Sequence, residues 1–470
     1  MASHFFAFLL LCFSLLIQYS YVAGIISGRL EHTIAVSSLL PETICSTTED
    51  FTDNNRLKLT HRHGPCSPIK NSKKPDHKQI LAQDQSRVYS IQHRRHHSST
   101  TTTIKIEPNK IHQSPLAGTK IPAYTGKSFS TANFIVTVGF GTPKRDLSLI
   151  FDTGSDVTWI QCQPCISSCY AQQEPIFEPT QSSTYSNVSC SESACSELDT
   201  SSCSGATCLY AVQYGDNSYT VGFFSKDTLT LSSSDILPGF FFGCGEKNRG
   251  LFGKAAGLLG LGRGSTSLIS QSKTKYNGVF SYCLPSTSSS AGYLTFGGGA
   301  PANIKYTSML TDSSMPTFYF LNLLSIRVAG IKLSISPTVF SNAGTLIDSG
   351  TVISRLPPAA YSSLRQAFKQ KMGKYPTAPA LSILDTCYDF SNYSTVSVPT
   401  VALEFAGGVV VDLDFSGILY VASLSQACLA FAGNSDAGDV GIFGNIQQHK
   451  LNVVYNVGKQ VIGFGKGGCN

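Results

Sequence analysis

Leu149-Ile-Phe-Asp152-Thr-Gly-Ser155 and its echo, Thr345-Leu-Ile-Asp348-Ser-Gly-Thr351, decide how this chain folds. Each is an apolar run ending in Asp, followed by a hydroxyl residue, a glycine and a second hydroxyl residue. The run reads as a buried strand and the residues after it as a turn. Further along the chain each copy has a second segment of two apolar residues framed by glycine: Gly257-Leu-Leu-Gly260 after the first and Gly441-Ile-Phe-Gly444 after the second. An isolated Asp-Thr-Gly is most often only a turn. Two copies with matching flanks predict a duplicated architecture, two lobes about a pseudo-twofold axis that sets the Asp turns face to face.

The turn composition carries chemistry. Gly154 and Gly350 permit close backbone approach and donate unhindered N–H groups. Ser155 and Thr351 place hydroxyls where they can bond the outer carboxylate oxygens and fix their rotamers. Two carboxylates within hydrogen-bond distance do not readily ionise together, so the pair holds one proton across an acidic range. One then acts as base on a water lying between them. The other, protonated, polarises a carbonyl and later protonates the leaving nitrogen. Asp152 and Asp348 are therefore the expected catalytic pair, with no metal and no other cofactor.

The composition agrees with a β architecture. The chain has 470 residues, 42% hydrophobic and only 14% charged, below the usual quarter, so long charged helices are few. From Phe129 onward short strands alternate with turns: Phe134–Val138, Leu147–Phe151, Asp227–Leu231 and Gly239–Gly243 are apolar or alternating runs bounded by Gly, Pro, Asn and Ser. The expectation is a mainly all-β, bilobal molecule. Its two pseudo-symmetric β-barrel-like lobes span 121–310 and 311–470, with a few short helices and an active-site cleft between them. One helix is expected over Pro358–Met372, entered through two prolines, with Tyr361, Leu364, Phe368 and Met372 as its apolar face.

The first 120 residues differ. Phe5–Ile17 is almost continuously apolar, the length of a signal peptide core, and Ala23-Gly24 offers a cleavage site, although the residues before it contain no Lys or Arg. Residues 1–24 are read as a signal peptide. No other run of 18 apolar residues occurs, so no stable membrane contact is expected of the mature protein. The net charge of +6 falls entirely in residues 25–125, which also hold eight of the ten histidines. A stretch from Ile80 to Gln92 has helical spacing at Ile80, Leu81, Val88 and Ile91. Residues 25–120 are read as a basic pro-segment; the rivals are a solvated basic tail and a nucleic-acid arm. Histidine binds phosphate poorly at neutral pH, which argues against nucleic acid. In the pro-segment reading, a Lys or Arg occupies the cleft at neutral pH and pairs with Asp152 and Asp348. Acid weakens that pairing, and the mature N-terminus falls between about 110 and 130.

Of 15 cysteines, Cys12 lies in the signal and Cys45 and Cys66 in the pro-segment; the twelve from Cys162 onward predict six disulfides in a chain on the secretory route. Cys162-x-x-Cys165 has no second pair of ligands nearby, which argues against zinc. The residues leave connectivity open. Asn187-Val-Ser189 and Asn392-Tyr-Ser394 are glycosylation sequons.

From Phe129 to the C-terminus the chain resembles a pepsin-type aspartic protease, the type case of two carboxylates sharing a proton. Besides the two Asp turns, the likeness rests on Trp159, the only tryptophan, and on Tyr214-Gly-Asp-Asn-Ser218, which resembles a flap hairpin closing over bound peptide. The resemblance implies that Tyr214 covers the cleft and bonds Trp159, and that Gly215 and Asp216 contact substrate backbone. The run Cys162-x-x-Cys165-x-x-x-Cys169, then Cys190, Cys195, Cys203 and Cys208 before the flap, resembles the plant nepenthesin-like, atypical subgroup. That likeness implies the pairs Cys162–Cys165, Cys169–Cys244, Cys190–Cys208, Cys195–Cys203, Cys283–Cys469 and Cys387–Cys428. The pro-segment stretch Leu57–Pro68 is similar to precursors of this group. The second turn departs mildly, with Ser349 where Thr is usual, and no saposin-like insert or apolar tail follows. The resemblance implies a secreted endopeptidase, monomeric, acting on protein or peptide substrates in the apoplast or cell wall, with vacuole or chloroplast as alternative destinations. Some relatives keep the fold, lose the dyad and inhibit cell-wall glycosidases. A protein-binding homologue of that kind, or a DNA-binding protease acting through the basic segment, is the alternative function.

Overall fold

The computed structural model describes residues 30–40, 42–46, 56–70, 75–97, 134–214, 218–250, 252–298 and 303–469. The signal, the expected processing window and the flap residues Gly215 and Asp216 lie outside the described residues. The molecule is mainly β and bilobal. A 15-stranded sheet runs through the N-terminal lobe and continues into strands from the chain's end, including Leu451–Asn456 and Val461–Lys466. The C-terminal lobe adds a five-stranded sheet containing Thr345–Ile347 and two four-stranded sheets.

The two decisive stretches occupy equivalent places. Arg145–Asp152 is a strand buried from Leu147 onward, and Thr345–Ile347 is its shorter counterpart. The glycine-framed segments are their parallel partners: Gly257–Gly260 lies alongside Leu149–Asp152, and Gly441–Phe443 alongside Thr345–Ile347. Parallel neighbours buried on both faces suit continuous apolar runs, which is why these segments read Leu-Leu and Ile-Phe. Beside the first dyad strand Phe151 packs edge-on against Tyr282, within an aromatic cluster that includes Phe280, Tyr319 and Tyr455. The helix Pro358–Met372 forms as expected. It buries Leu364, Phe368 and Met372, but Tyr361 stays half-exposed because its hydroxyl donates to Asp385 at 2.5 Å.

The N-terminal segment is built into the molecule. Glu31–Ala35 adds an antiparallel strand to Thr395–Pro399. Leu57–His61 inserts between Phe134–Phe140 and Ala291–Phe296, pairing with both. The helix His77–His97 then crosses the cleft. Its four periodic residues are buried as the spacing requires. Ile80 and Leu81 pack with Val352, Ile353, Leu381 and Leu384, while Val88 and Ile91 pack with Phe318, Leu346, Val440 and Ile442. Full burial of such a side chain stabilises by roughly 1.5–3 kcal/mol before the entropy of ordering the helix is subtracted. Gln92 adds a specific anchor: its amide donates to Val440 O at 2.9 Å and accepts from Val440 N at 2.8 Å.

All twelve C-terminal cysteines are paired, but four of the implied pairs are replaced. The bonds are Cys162–Cys244, Cys165–Cys169, Cys190–Cys203, Cys195–Cys208, Cys283–Cys469 and Cys387–Cys428. The β pairing explains the first exchange. Trp159–Gln161 runs parallel to Ile236–Arg249, and Cys162 N bonds Gly245 O at 2.9 Å, so Cys162 is delivered beside Cys244. Cys165 then closes a four-residue step to Cys169. In the hairpin Ser201–Ser204/Thr207–Gln213, Cys203 and Cys208 sit opposite each other and each reaches a different cysteine of the preceding loop. A seventh bond, Cys45–Cys66, closes the N-terminal segment on itself.

Candidate active site

Asp152 and Asp348 end their strands and meet at the lobe boundary, both fully buried. Each turn is organised identically. Gly154 N donates to Asp152 Oδ1 and Gly350 N to Asp348 Oδ1, both at 3.0 Å. Ser155 Oγ donates to Asp152 Oδ2 at 2.9 Å, and Thr351 Oγ1 to Asp348 Oδ2 at 2.6 Å. The glycines are required by space. A Cβ on Gly154 would lie 2.8 Å from Asp348 Oδ1, and one on Gly350 would lie 2.5 Å from Asp152 Oδ1. Each turn leaves room for the other's carboxylate.

The residues between Asp and Gly, given no role in the sequence beyond keeping a hydroxyl, cross-link the lobes. Thr153 N donates to Ser349 Oγ and Ser349 N donates to Thr153 Oγ1, both at 3.0 Å. Asn445 Nδ2 donates to Ser349 O at 2.9 Å. The signal was present, since both turns carry a hydroxyl at this position, but its reciprocal use is visible only in three dimensions.

Trp159 is buried and its indole N–H donates to the Tyr214 hydroxyl at 2.8 Å. Phe252 packs edge-on against both rings. Tyr214 stands at the end of the hairpin formed by Thr207–Gln213 and Tyr219–Thr230, closed by Tyr214 N to Ser218 O at 2.8 Å. Asn187 and Asn392 are both exposed. Among the described residues no group of three or more His, Cys, Asp or Glu is placed to hold a metal ion.

The cleft is filled by the helix His77–His97. Arg87 reaches between the two carboxylates. Its Nη2 donates to Asp152 Oδ1 at 2.8 Å and to Asp348 Oδ1 at 2.9 Å, and its Nε to Asp348 Oδ2 at 2.9 Å. Burial opposes the guanidinium charge, but the two carboxylates outweigh it and hold Arg87 protonated. One turn earlier Asp84 is wholly buried against Arg355. Neither Arg87 nor Asp84 stands in the apolar stripe that the sequence singles out. Cavities of about 250 and 530 Å³ lie on the flank of the N-terminal lobe, lined by residues such as Glu192 and Phe241, or Tyr185 and Glu246, rather than over the dyad.

Two lobes that each deliver an Asp from a buried strand, with turns interlocked by reciprocal hydroxyl bonds, define a carboxylate-dyad protease of the two-lobed β class. The chain belongs to the pepsin-like aspartic protease family. Two family profiles match it, described as xylanase inhibitor N-terminal over residues 134–298 and xylanase inhibitor C-terminal over 318–466. An aspartyl protease family protein of Arabidopsis thaliana is 52% identical over 93% of this chain and 93% of its own length. Aspartyl protease AED1 of the same plant is 47% identical, with 94% of each chain covered. Aspartic proteinase nepenthesin-2 of Nepenthes gracilis is 37% identical over 74% of this chain and 80% of its own. Among solved structures, soybean basic 7S globulin superposes with a TM-score of 0.57 at 20% identity, covering 70% of this chain and 92% of its own. That likeness concerns the fold.

Proposed function

We propose that the chain is the secreted precursor of an endopeptidase in which Asp152 and Asp348 hydrolyse peptide bonds through an activated water at acidic pH. The observation that carries this reading is the dyad itself: two buried carboxylates, each held by a glycine N–H and a hydroxyl, face a common point now occupied by a guanidinium. With Arg87 gone, that point is where a water and a substrate carbonyl would sit, within reach of both carboxylates. Trp159 fixes Tyr214 beside the cleft as a wall for bound peptide.

Residues 25–120 act as an inhibitory pro-segment, an inference supported by the Arg87 fork and the buried face of the helix His77–His97. Acid weakens this docking in two ways. Protonating a carboxylate removes half of an ion pair with Arg87. Protons also favour release through the histidines around Leu57–His61. Burial, then neighbouring cations, holds His61 down to about 3; burial and Arg62 hold His63 down to about 4; burial holds His449 down to about 4. Seven disulfides support folding in an oxidising compartment on the secretory route.

The test is acid proteolysis of a protein substrate by the processed enzyme, with and without a statine-type inhibitor, against Asp152→Ala. Loss of about three orders of magnitude in kcat/KM is expected, as befits a general acid–base group. Full activity in Asp152→Ala overturns the reading. The description of the matching profiles as xylanase inhibitor favours a second reading, a protein-binding homologue. Xylanase inhibition that survives Asp152→Ala, with no proteolysis by the parent protein, would select it.

A further inference from the structure

Arg355 is a buried cation whose carboxylate partner comes from outside the catalytic body. It lies on the strand Ser354–Leu356, seven residues past Asp348, and its side chain is 1% exposed. By the internal repeat it is the counterpart of Trp159, seven residues past Asp152. Both strands pair antiparallel with the glycine-framed partner of their own dyad strand. In the N-terminal lobe this position builds the cleft wall that holds Tyr214. In the C-terminal lobe it holds a guanidinium.

What meets that guanidinium is Asp84 of the helix His77–His97. Arg355 Nη2 lies 3.0 Å from Asp84 Oδ2 and donates to Gln85 Oε1 at 3.2 Å. Asp84 also accepts from two backbone N–H groups just past the dyad turn, Val352 N at 2.6 Å and Ile353 N at 3.1 Å. Among the described residues of the catalytic body Arg355 keeps one bond, Nη1 to Ile353 O at 2.6 Å. A buried charge left without its partner is strongly destabilising. Here both partners of the Nη2 group leave with the segment that blocks the cleft. What remains is one guanidinium and two N–H groups that meet the same carboxylate, a donor set matched to a carboxylate; Val352 and Ile353 belong to an apolar cluster that includes Leu381 and Leu384.

We propose that Arg355, Val352 N and Ile353 N form a specificity subsite of the processed enzyme that takes an acidic side chain of the substrate, with Asp84 standing in for that side chain in the precursor. This rests on the pro-segment reading above. Asp84 is three residues from Arg87 on a helix, about 5 Å along its axis at 1.5 Å per residue. An extended peptide rises about 3.3 Å per residue, so the acidic residue falls one or two positions from the cut bond.

The experiment is kcat/KM of the processed enzyme on paired peptides that differ only in Asp versus Asn at each position flanking one cut site. A further pair ends at that position with a free or an amidated carboxyl. The wild type is expected to favour Asp over Asn by tenfold or more at one position within two residues of the bond. Arg355→Met should bring that ratio to within about twofold of unity, and Arg355→Lys should leave an intermediate ratio, since it keeps the charge and loses the fork. The within-enzyme ratio is independent of how much of each variant folds, and turnover of the Asn peptide reports a working enzyme. Preference only for the free terminal carboxyl, equal use of Asp and Asn by the wild type at every position, or an unchanged ratio in Arg355→Met overturns the subsite. A wild type that cuts Asn peptides without discrimination leaves the peptidase reading standing, whereas one that cuts no peptide overturns both.

Discussion

Arg87, Thr153 and Ser349 govern the site at the scale of single residues. The guanidinium of Arg87 touches all four carboxylate oxygens of the dyad. Arg87→Gln leaves two buried carboxylates facing each other without a cation, and breaking a buried pair in this way is destabilising by roughly 3–5 kcal/mol. The docked helix should therefore release at higher pH. If the helix blocks the cleft as proposed, the full-length chain carrying Arg87→Gln is expected to cleave a fluorogenic peptide at higher pH than the full-length parent does, whereas identical pH dependence would show that Arg87 does not hold the cleft closed. Ser349 tests the interlock. Ser349→Ala removes the acceptor for Thr153 N in a buried setting, a loss of about 1–3 kcal/mol. Ser349→Thr, which restores the hydroxyl found at position 153, should recover most of it. Thermal unfolding of the processed enzyme gives the comparison, and equal melting temperatures for Ala and Thr would remove the interlock as a stabilising feature. The dyad turns were legible in the sequence because their chemistry is local: carboxylate, glycine and hydroxyl fall within four residues. Arg87 was legible only as a type, a cation in the cleft. Which of the 14 cations in residues 25–125 reaches the dyad depends on where the helix docks.

At the scale of elements, the N-terminal segment is held by two different devices. The helix docks by its apolar stripe, and Ile80, Leu81, Val88 and Ile91 were readable because a 3.6-residue period is a local signal. The strand Leu57–His61 was not, because five residues with mixed polarity become a strand only when two other strand edges receive them. That strand also carries a histidine that resists protonation where it is docked. In the docked state His61 is edge-on to Phe134 and faces His63, Arg62, His77 and His449. Docking thus favours its neutral form, with His61 lowered from 6.5 to about 3. Above pH 6.5 both the docked and released forms are neutral and the full docking stability is present. As pH falls from 6.5 toward 3, the released segment takes up a proton that the docked one refuses, and docking weakens by at most about 1.4 kcal/mol per pH unit for each such histidine. His61→Phe keeps the aromatic edge and removes the proton. It should shift the midpoint of acid release, followed by hydrogen exchange of residues 57–61, to lower pH. An unchanged midpoint would assign the acid response to the carboxylate pair alone.

At the scale of the whole molecule, a duplicated body is closed by an element that belongs to neither half. The sequence showed the duplication, since each dyad strand and its glycine-framed partner recur in order, but it did not show the cross-links. Cys162 finds Cys244 because two strands far apart in sequence run parallel, while Cys203 and Cys208, opposite each other in a hairpin, reach Cys190 and Cys195 of the preceding loop. Connectivity follows the sheet, and spacing along the chain carries no record of it. The same holds for Cys45–Cys66, a bond 21 residues apart that ties down the approach to the strand Leu57–His61 without touching either lobe's own disulfides. Closing a loop of that size restricts the released segment and stabilises the docked state by roughly 3 kcal/mol in the chain-entropy account. The double substitution Cys45→Ser with Cys66→Ser should therefore lower the urea concentration at which the helix His77–His97 leaves the cleft. Unfolding of residues 134–469 should not move, because their six disulfides and the Thr153–Ser349 interlock lie elsewhere. Pulse hydrogen exchange along a urea series separates the two transitions. If the segment and the body still unfold together at the parent's midpoint, the segment is not an independent closure, and release must proceed through the body itself.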